Sequence, residues 1–289
     1  MNSFILPVFS FLIVCLAGCK KIPPETPGPD LVIKIVMDST QLRLGSFGDT
    51  ATVPAGNAAQ HPRFNQISAH YIEMIPNQLT QLGDGELLYK GEETTLGGSN
   101  AAKFSEARVV SEGEEFLVMP LSDISAGNYQ FIRVSVTYQN YDIDFRASGF
   151  DLTGTIASFV GFNNYIETLL IKTQTIPVNA NKVQGFWAFE ISNPVVSVTQ
   201  GQAPVGATTV PNPIAATSPI PAGSCLVTGA FDTPLTITGD ETEDIVLTLS
   251  FSTNNSFEWN DSTANGIFDP MDGDVPVDMG LRGLIGRWQ

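Results

Sequence analysis

Residues Ile245–Ser252 read IVLTLSFS, and their alternation decides the fold class. Ile245, Leu247, Leu249 and Phe251 fall on one face of an extended chain, and Thr248, Ser250 and Ser252 on the other. This is the two-residue period of a strand with one dry and one wet face. The same period, rich in Val, Ile, Thr and aromatic residues, recurs at Leu31–Met37 (LVIKIVM), Ile67–Ile75 (ISAHYIEMI) and Tyr129–Tyr138 (YQFIRVSVTY). It returns at Tyr165–Ile176 and Val183–Ile191. Turn signals separate these runs: Gly83-Asp84-Gly85, Gly97-Gly98-Ser99-Asn100, Ala126-Gly127-Asn128 and Asn163-Asn164. No long apolar helical period occurs from Leu31 to Gln289. The expectation is an all-β chain, an antiparallel β-sandwich or barrel forming a single large domain with long loops over 31–289.

One stretch interrupts the pattern. Gln200–Ser224 holds five prolines and no charge. As a linker it would isolate a C-terminal piece with too few strands for a core of its own, so 200–224 reads as a Pro-rich loop within one domain.

The first thirty residues have a different composition. Phe4–Ala17 (FILPVFSFLIVCLA) is apolar and uncharged, shorter than the about 20 residues of a transmembrane helix, and is laid out as an export signal. Leu16-Ala17-Gly18-Cys19 resembles the lipobox of bacterial lipoproteins. No Lys or Arg precedes Phe4, and Lys20 and Lys21 follow the cysteine instead. The resemblance implies a signal peptide over 1–18, cleavage before Cys19, and a diacylglycerol- and palmitate-bearing lipid on that thiol. Several acyl chains together give near-permanent attachment to a membrane. Ile22–Asp30 (IPPETPGPD) carries four prolines and reads as an extended tether, so 19–30 is lipidated cysteine plus spacer. The implied location is the cell envelope, anchored to a bacterial membrane, the outer one by expectation, facing periplasm or exterior.

Of three cysteines, Cys15 leaves with such a signal and Cys19 is acylated, which leaves Cys225 without an intramolecular partner. Its apolar setting (CLVTGAF) suits an inert buried thiol. Lys and Arg number 14 against 30 Asp and Glu, a net charge of −16. Such a surface repels phosphate backbones and favours cations, so nucleic acid is excluded as a partner class.

The segment richest in chemistry is Trp259–Asp274 (WNDSTANGIFDPMDGD). Calcium takes about six to eight oxygens at roughly 2.3–2.6 Å, and one loop supplies them only by turning sharply around the ion. Counted as a twelve-residue loop, Asp261 stands first, Thr263 third, Asn265 fifth and Gly266 sixth. Ile267 offers its carbonyl at the seventh position, Asp269 stands ninth and Asp272 twelfth. This resembles the calcium loop of EF-hand and dockerin proteins and implies a structural calcium ion. Thr263 in place of Asp or Asn, Asp272 in place of Glu, Pro270 inside the loop and non-helical flanks depart from that pattern. Asp274 and Asp278 are further candidate ligands. An Asp- and Asn-rich turn without metal has the same composition.

His61 and His70, with Met74 nearby, are candidate soft-metal ligands. Phe64–Ile72 (FNQISAHYI), Ile124–Tyr129 (ISAGNY) and the late strand Ile245–Phe251 resemble the methanobactin-associated, copper-linked family of lipid-anchored or periplasmic β proteins. The resemblance implies a shared architecture. Its copper activity is not carried over, since copper-binding members depend on more histidines than two. Asp38-Ser39-Thr40, Asp49-Thr50-Ala51 and Asp261-Ser262-Thr263 resemble the short O-glycosylation acceptor of some Bacteroidota.

There is no Gly-x-Ser-x-Gly elbow, His-Glu-x-x-His helix or phosphate loop. Trp187, Trp259 and Trp288, with Tyr138 and Tyr141, are candidates for stacking on sugar rings or for the core. The sequence therefore points to a lipid-anchored envelope module without catalytic activity, binding or structural in role, with a calcium-stabilised C-terminal loop. Its partners are the membrane, through Cys19, and a protein or glycan. Copper handling by His61 and His70, or glycan binding, are the alternatives.

Overall fold

The computed structural model describes residues 28–44, 50–203 and 226–289. Cys19 with its lipobox, Cys225 and most of the Pro-rich loop lie outside the described residues. In chain order the strands are β1 (Asp30–Asp38), β2 (Asn57–Gln60), β3 (Arg63–Ile75), β4 (Glu86–Lys90), β5 (Glu93–Thr94), β6 (Ala101–Lys103) and β7 (Val109–Val110). Next come β8 (Glu115–Pro120), β9 (Gly127–Ala147), β10 (Phe150–Phe159), β11 (Asn164–Leu170), β12 (Thr175–Lys182) and β13 (Phe186–Ile191). The last six are β14 (Ser197–Gln202), β15 (Leu226–Ile237), β16 (Ile245–Ser252), β17 (Phe257–Asn260), β18 (Val275–Met279) and β19 (Leu284–Trp288). Two single 3-10 turns, Phe104–Glu106 and Leu121–Asp123, are the helical content among the described residues. No described helix is long and apolar enough to cross a membrane.

The all-β expectation holds. A twelve-stranded sheet follows the path β14-β13-β10-β9-β15-β19-β16-β1-β8, with β3 on the other edge of β9 carrying β4 and β7. A four-stranded sheet, β12-β11-β6-β5, and a three-stranded sheet, β18-β17-β2, complete a sandwich-like arrangement with no closed barrel among the described residues. Pairing is mostly antiparallel, but β1 lies parallel to β16, β15 to β19 and β11 to β6.

Alternation in β1 and β16 places Leu31, Ile33 and Ile35 beside Ile245, Leu247, Leu249 and Phe251 in one aliphatic core. Full burial of such side chains contributes about 1.5–3 kcal/mol each. The supposedly wet face of β16 differs from expectation: Ser250 and Ser252 are as buried as the leucines. The reason is the segment after β1, which crosses that face. Ser250 Oγ donates to Gln41 Oε1 at 3.0 Å and Ser252 Oγ to the Gln41 carbonyl at 3.3 Å.

Strand β9 organises the rest. Its 21 residues pair with β15 near the start, with β10 near the end and with β3 along the opposite edge. From Ile132 to Tyr141 every residue is buried, because smaller sheets cover the strand. Tyr138 joins a core with Phe159, Ile166 and Leu169, which β11 contributes to. Tyr141, Ile143 and Phe145 join Ile156, Phe257, Trp259 and Phe268 in another core, under the three-stranded sheet. Polar residues of β9 find partners in these layers: Thr137 Oγ1 meets Asn164 Oδ1 at 3.0 Å, and Asn140 Nδ2 donates to the Ile171 carbonyl at 2.7 Å.

The run Tyr165–Ile176, expected as one strand, is two. β11 ends at Leu170 and β12 begins at Thr175. The intervening turn is closed by Glu190 of β13, which is 0% exposed. Its carboxylate accepts from the backbone N–H groups of Lys172, Thr173 and Gln174 and from the hydroxyls of Thr173 and Ser192. Strand β14 extends to Gln202, so residues 200–202, expected in the Pro-rich loop, belong to a strand.

Candidate functional site

The loop after β17 is built from its apolar residues outward. Phe257 and Trp259 alternate into the core, and Phe268 returns to meet them, its ring 5.1 Å from Phe257 and 5.6 Å from Trp259. The Arg146 N–H donates to the Phe268 carbonyl at 2.7 Å, fastening the loop to β9. On the other face of β17, Glu258 is buried and accepts from Arg43. Arg282 lies 3.4 Å from the same carboxylate and also pairs with Asp278. Asp278, a candidate calcium ligand, is thereby engaged in this ion-pair network.

Within the loop, the Asp261 carboxylate accepts from Asn265 N–H at 3.2 Å and Gly266 N–H at 2.7 Å. Asn265 Oδ1 accepts from Ile267 N–H at 2.7 Å. Two residues turn the chain through the left-handed region, Ala264 at φ 52° and Gly266 at φ 70°. Glycine at 266 meets that demand without a Cβ penalty. Asp274 acts as a buckle, one oxygen accepting from the Ser262 N–H and hydroxyl, both at 2.9 Å, and the other from Asp269 N–H at 2.8 Å. Asp269 is buried and accepts from Met271 N–H at 3.2 Å. Thr263 and Asp272 are exposed.

The donors are oxygens, the chemistry calcium takes, and the residues from Asp261 to Ile267 form the sharp turn expected of them. The three carboxylates expected as ligands are not gathered. Among the described residues no group of three or more His, Cys, Asp or Glu side chains stands as if around a metal ion.

The two histidines are not brought together. His61 is exposed and its Nδ1 accepts from Asn255 N–H at 2.8 Å. His70 lies well along β3, 3% exposed, and at about 3.3 Å per residue the extended strand puts the two roughly 20 Å or more apart. The His70 ring stacks on Phe162 at 4.8 Å, and its Nε2 is 3.2 Å from Glu93 Oε1. Burial lowers its pKa against the opposing pull of Glu93.

Nor do the tryptophans share a surface. Trp259 is buried and Trp187 half-buried, while Trp288 is exposed and donates Nε1 to the Thr233 carbonyl at 2.8 Å. Tyr138 and Tyr141 are buried.

A groove of about 690 Å³, not legible in the sequence, opens beside the loop. Gly266, Ile267 and Phe268 form one side; Asp144, Arg146 and Asp151 stand on another. These residues come from distant segments, and no local spacing connects them. The Asp144 carboxyl is held below its usual range by the hydrogen bond from Arg63. No family model matches the chain, and neither a curated protein nor a solved structure matches it.

Proposed function

We propose that this chain is a lipid-anchored binding or structural module of the bacterial cell envelope, without catalytic activity, whose C-terminal loop is stabilised by calcium. The observation that carries the calcium reading is the turn at Asp261, whose carboxylate is fixed by two backbone donors across a pair of left-handed residues. A carboxylate held this way retains lone pairs for a cation. Asn265, Thr263 and the Ile267 carbonyl follow at alternate positions, with Asp269 and Asp272 beyond. The lipid anchor rests on Leu16-Ala17-Gly18-Cys19 and on the proline-rich spacer behind it.

Thermal melting against calcium tests the loop. A calcium concentration a hundredfold above Kd stabilises by about 2.7 kcal/mol, a rise of roughly 5–10 °C for a domain of this size. An unchanged Tm at millimolar calcium would remove the ion from the reading. Mass spectrometry of the protein from a bacterial membrane fraction tests the anchor: Cys19 acylated and N-terminal is the expected result, and an unmodified Cys19 inside a longer chain refutes it.

A further inference from the structure

We infer that Asn265 is a site of spontaneous deamidation, at which the loop converts its own side-chain amide to a carboxylate through attack by the Gly266 backbone nitrogen. The chemistry stands on the geometry of the turn, and only its consequence for calcium rests on the function proposed above.

Asn265-Gly266 is the one Asn-Gly pair in the chain. The nitrogen that follows an asparagine can close a five-membered ring on the side-chain carbonyl carbon, and a side chain at that next residue hinders the closure. Here both residues are exposed, and no atom lies within 4 Å of the point where a Cβ on Gly266 would stand. A reaction within one turn gains from reacting groups that are already held together.

Three features favour the step. The Gly266 N–H donates to Asp261 Oδ2 at 2.7 Å, so a carboxylate stands on the proton that the nucleophile must lose. Asn265 Oδ1 accepts from the Ile267 N–H at 2.7 Å, so a backbone donor sits on the oxygen where charge develops during attack. The Asn265 NH2, which must leave, bonds to nothing among the described residues, whereas those of Asn65, Asn140 and Asn164 are each held by an oxygen of the fold.

The Gly266 nitrogen bonds to Asn265 Cγ while its proton passes to Asp261. The Cγ–Nδ2 bond breaks, and the side-chain nitrogen departs as ammonia with that proton. Water then opens the resulting succinimide at either carbonyl, giving an aspartate on the original backbone or an isoaspartate whose backbone runs through the side chain. Either product adds a negative charge to a loop that already holds Asp261, Asp269, Asp272 and Asp274. The aspartate also puts a carboxylate at the fifth position of the calcium count, and added ligand charge tightens such sites.

The experiment holds the freshly purified full chain, in detergent, in warm and mildly alkaline buffer. Mass spectrometry follows the peptide carrying Asn265, with aspartate and isoaspartate separated by chromatography. Conversion to both products, ahead of every other asparagine in the chain, is expected. In Asp261→Ala, checked by circular dichroism to be folded, the rate is expected to fall about tenfold or more through loss of the positioned base. An Asn265 that stays intact, or converts no faster than the other asparagines, overturns the inference, and a rate unchanged or raised in Asp261→Ala overturns the role of Asp261. The variant Asn265→Asp stands for the product, and its rise in Tm with calcium is expected to exceed that of the fresh protein. A Tm that calcium leaves unchanged in both proteins refutes the ion alone, and a calcium-dependent Tm beside an unconverted Asn265 refutes the deamidation alone.

Discussion

Two loops of this protein are organised by a carboxylate, and they end in opposite states. At residues 171–174 the carboxylate comes from another strand, is wholly buried, and has its capacity taken by three backbone N–H groups and two hydroxyls. Burial works to raise the pKa of Glu190, but the hydrogen bonds from Thr173, Gln174 and Ser192 prevail and hold it at about 2. At residues 261–272 the carboxylate of Asp261 belongs to the loop itself, stands partly in solvent, and answers only two donors. A filled carboxylate is a structural rivet; one with spare lone pairs is a place for a cation.

The largest effect is expected from breaking the rivet. Glu190→Ala leaves three backbone donors at the turn without their acceptor and is expected to cost about 3 kcal/mol in urea denaturation. A loss below about 1 kcal/mol would show that the turn closes without its carboxylate. Acid is next. Because the folded pKa of Glu190 is depressed from 4.5 to about 2, its stabilisation is complete above pH ~4.5 and is lost as pH falls toward 2. At about 1.4 kcal/mol per pKa unit this is on the order of 3 kcal/mol. Denaturation curves of wild type and Glu190→Gln from pH 6 to pH 2 should therefore converge at the acid end, and parallel curves would place the acid sensitivity elsewhere.

Asp261→Ala comes third. Without calcium it removes two acceptors near the surface and is expected to cost about 1 kcal/mol. With calcium it should also lose the whole ion-dependent rise in Tm, so a variant that keeps that rise separates the ion from this residue. The smallest effect is expected from Thr263→Ala, within about 0.5 kcal/mol in metal-free protein, together with a partial loss of the calcium response. Calorimetric titration of the two variants side by side ranks the two positions, and a larger loss at Thr263 would reverse the comparison.

The contrast also explains what could be read from the chain beforehand. The Asp261 loop was legible because its turn is local: the Asp, the Gly at 266 and the Asn between them are close in sequence, and the apolar Phe268 marks its return to the core. The Glu190 turn was not, since Ile171-Lys172-Thr173-Gln174 contains neither Gly nor Pro and is shaped by a side chain that follows many residues later. Strand periodicity succeeded for β1 and β16, where the apolar face meets one core. It understated β9, whose polar residues look solvent-bound in sequence but are covered by the smaller sheets. For the same reason Ser250 and Ser252, on the polar face of β16, are buried beneath the Gln41 segment, which no local period encodes. The groove gave no warning, because its polar rim is assembled from residues such as Arg146 and Asp151 that only the strand register brings together.

The position of β1 has a mechanical consequence. This strand begins at Asp30, directly behind the proline-rich segment, and runs between β16 and β8 with eight residues in register along one neighbour. A pull applied at its start acts along the strand, so the hydrogen bonds on both sides bear the load together in shear and do not open singly like a zipper. Leu31, Ile33 and Ile35 would have to slide out of the core at the same moment. Forced unfolding is governed by the rate of crossing that barrier, and the strand that follows the proline-rich sequence is the one that makes it high.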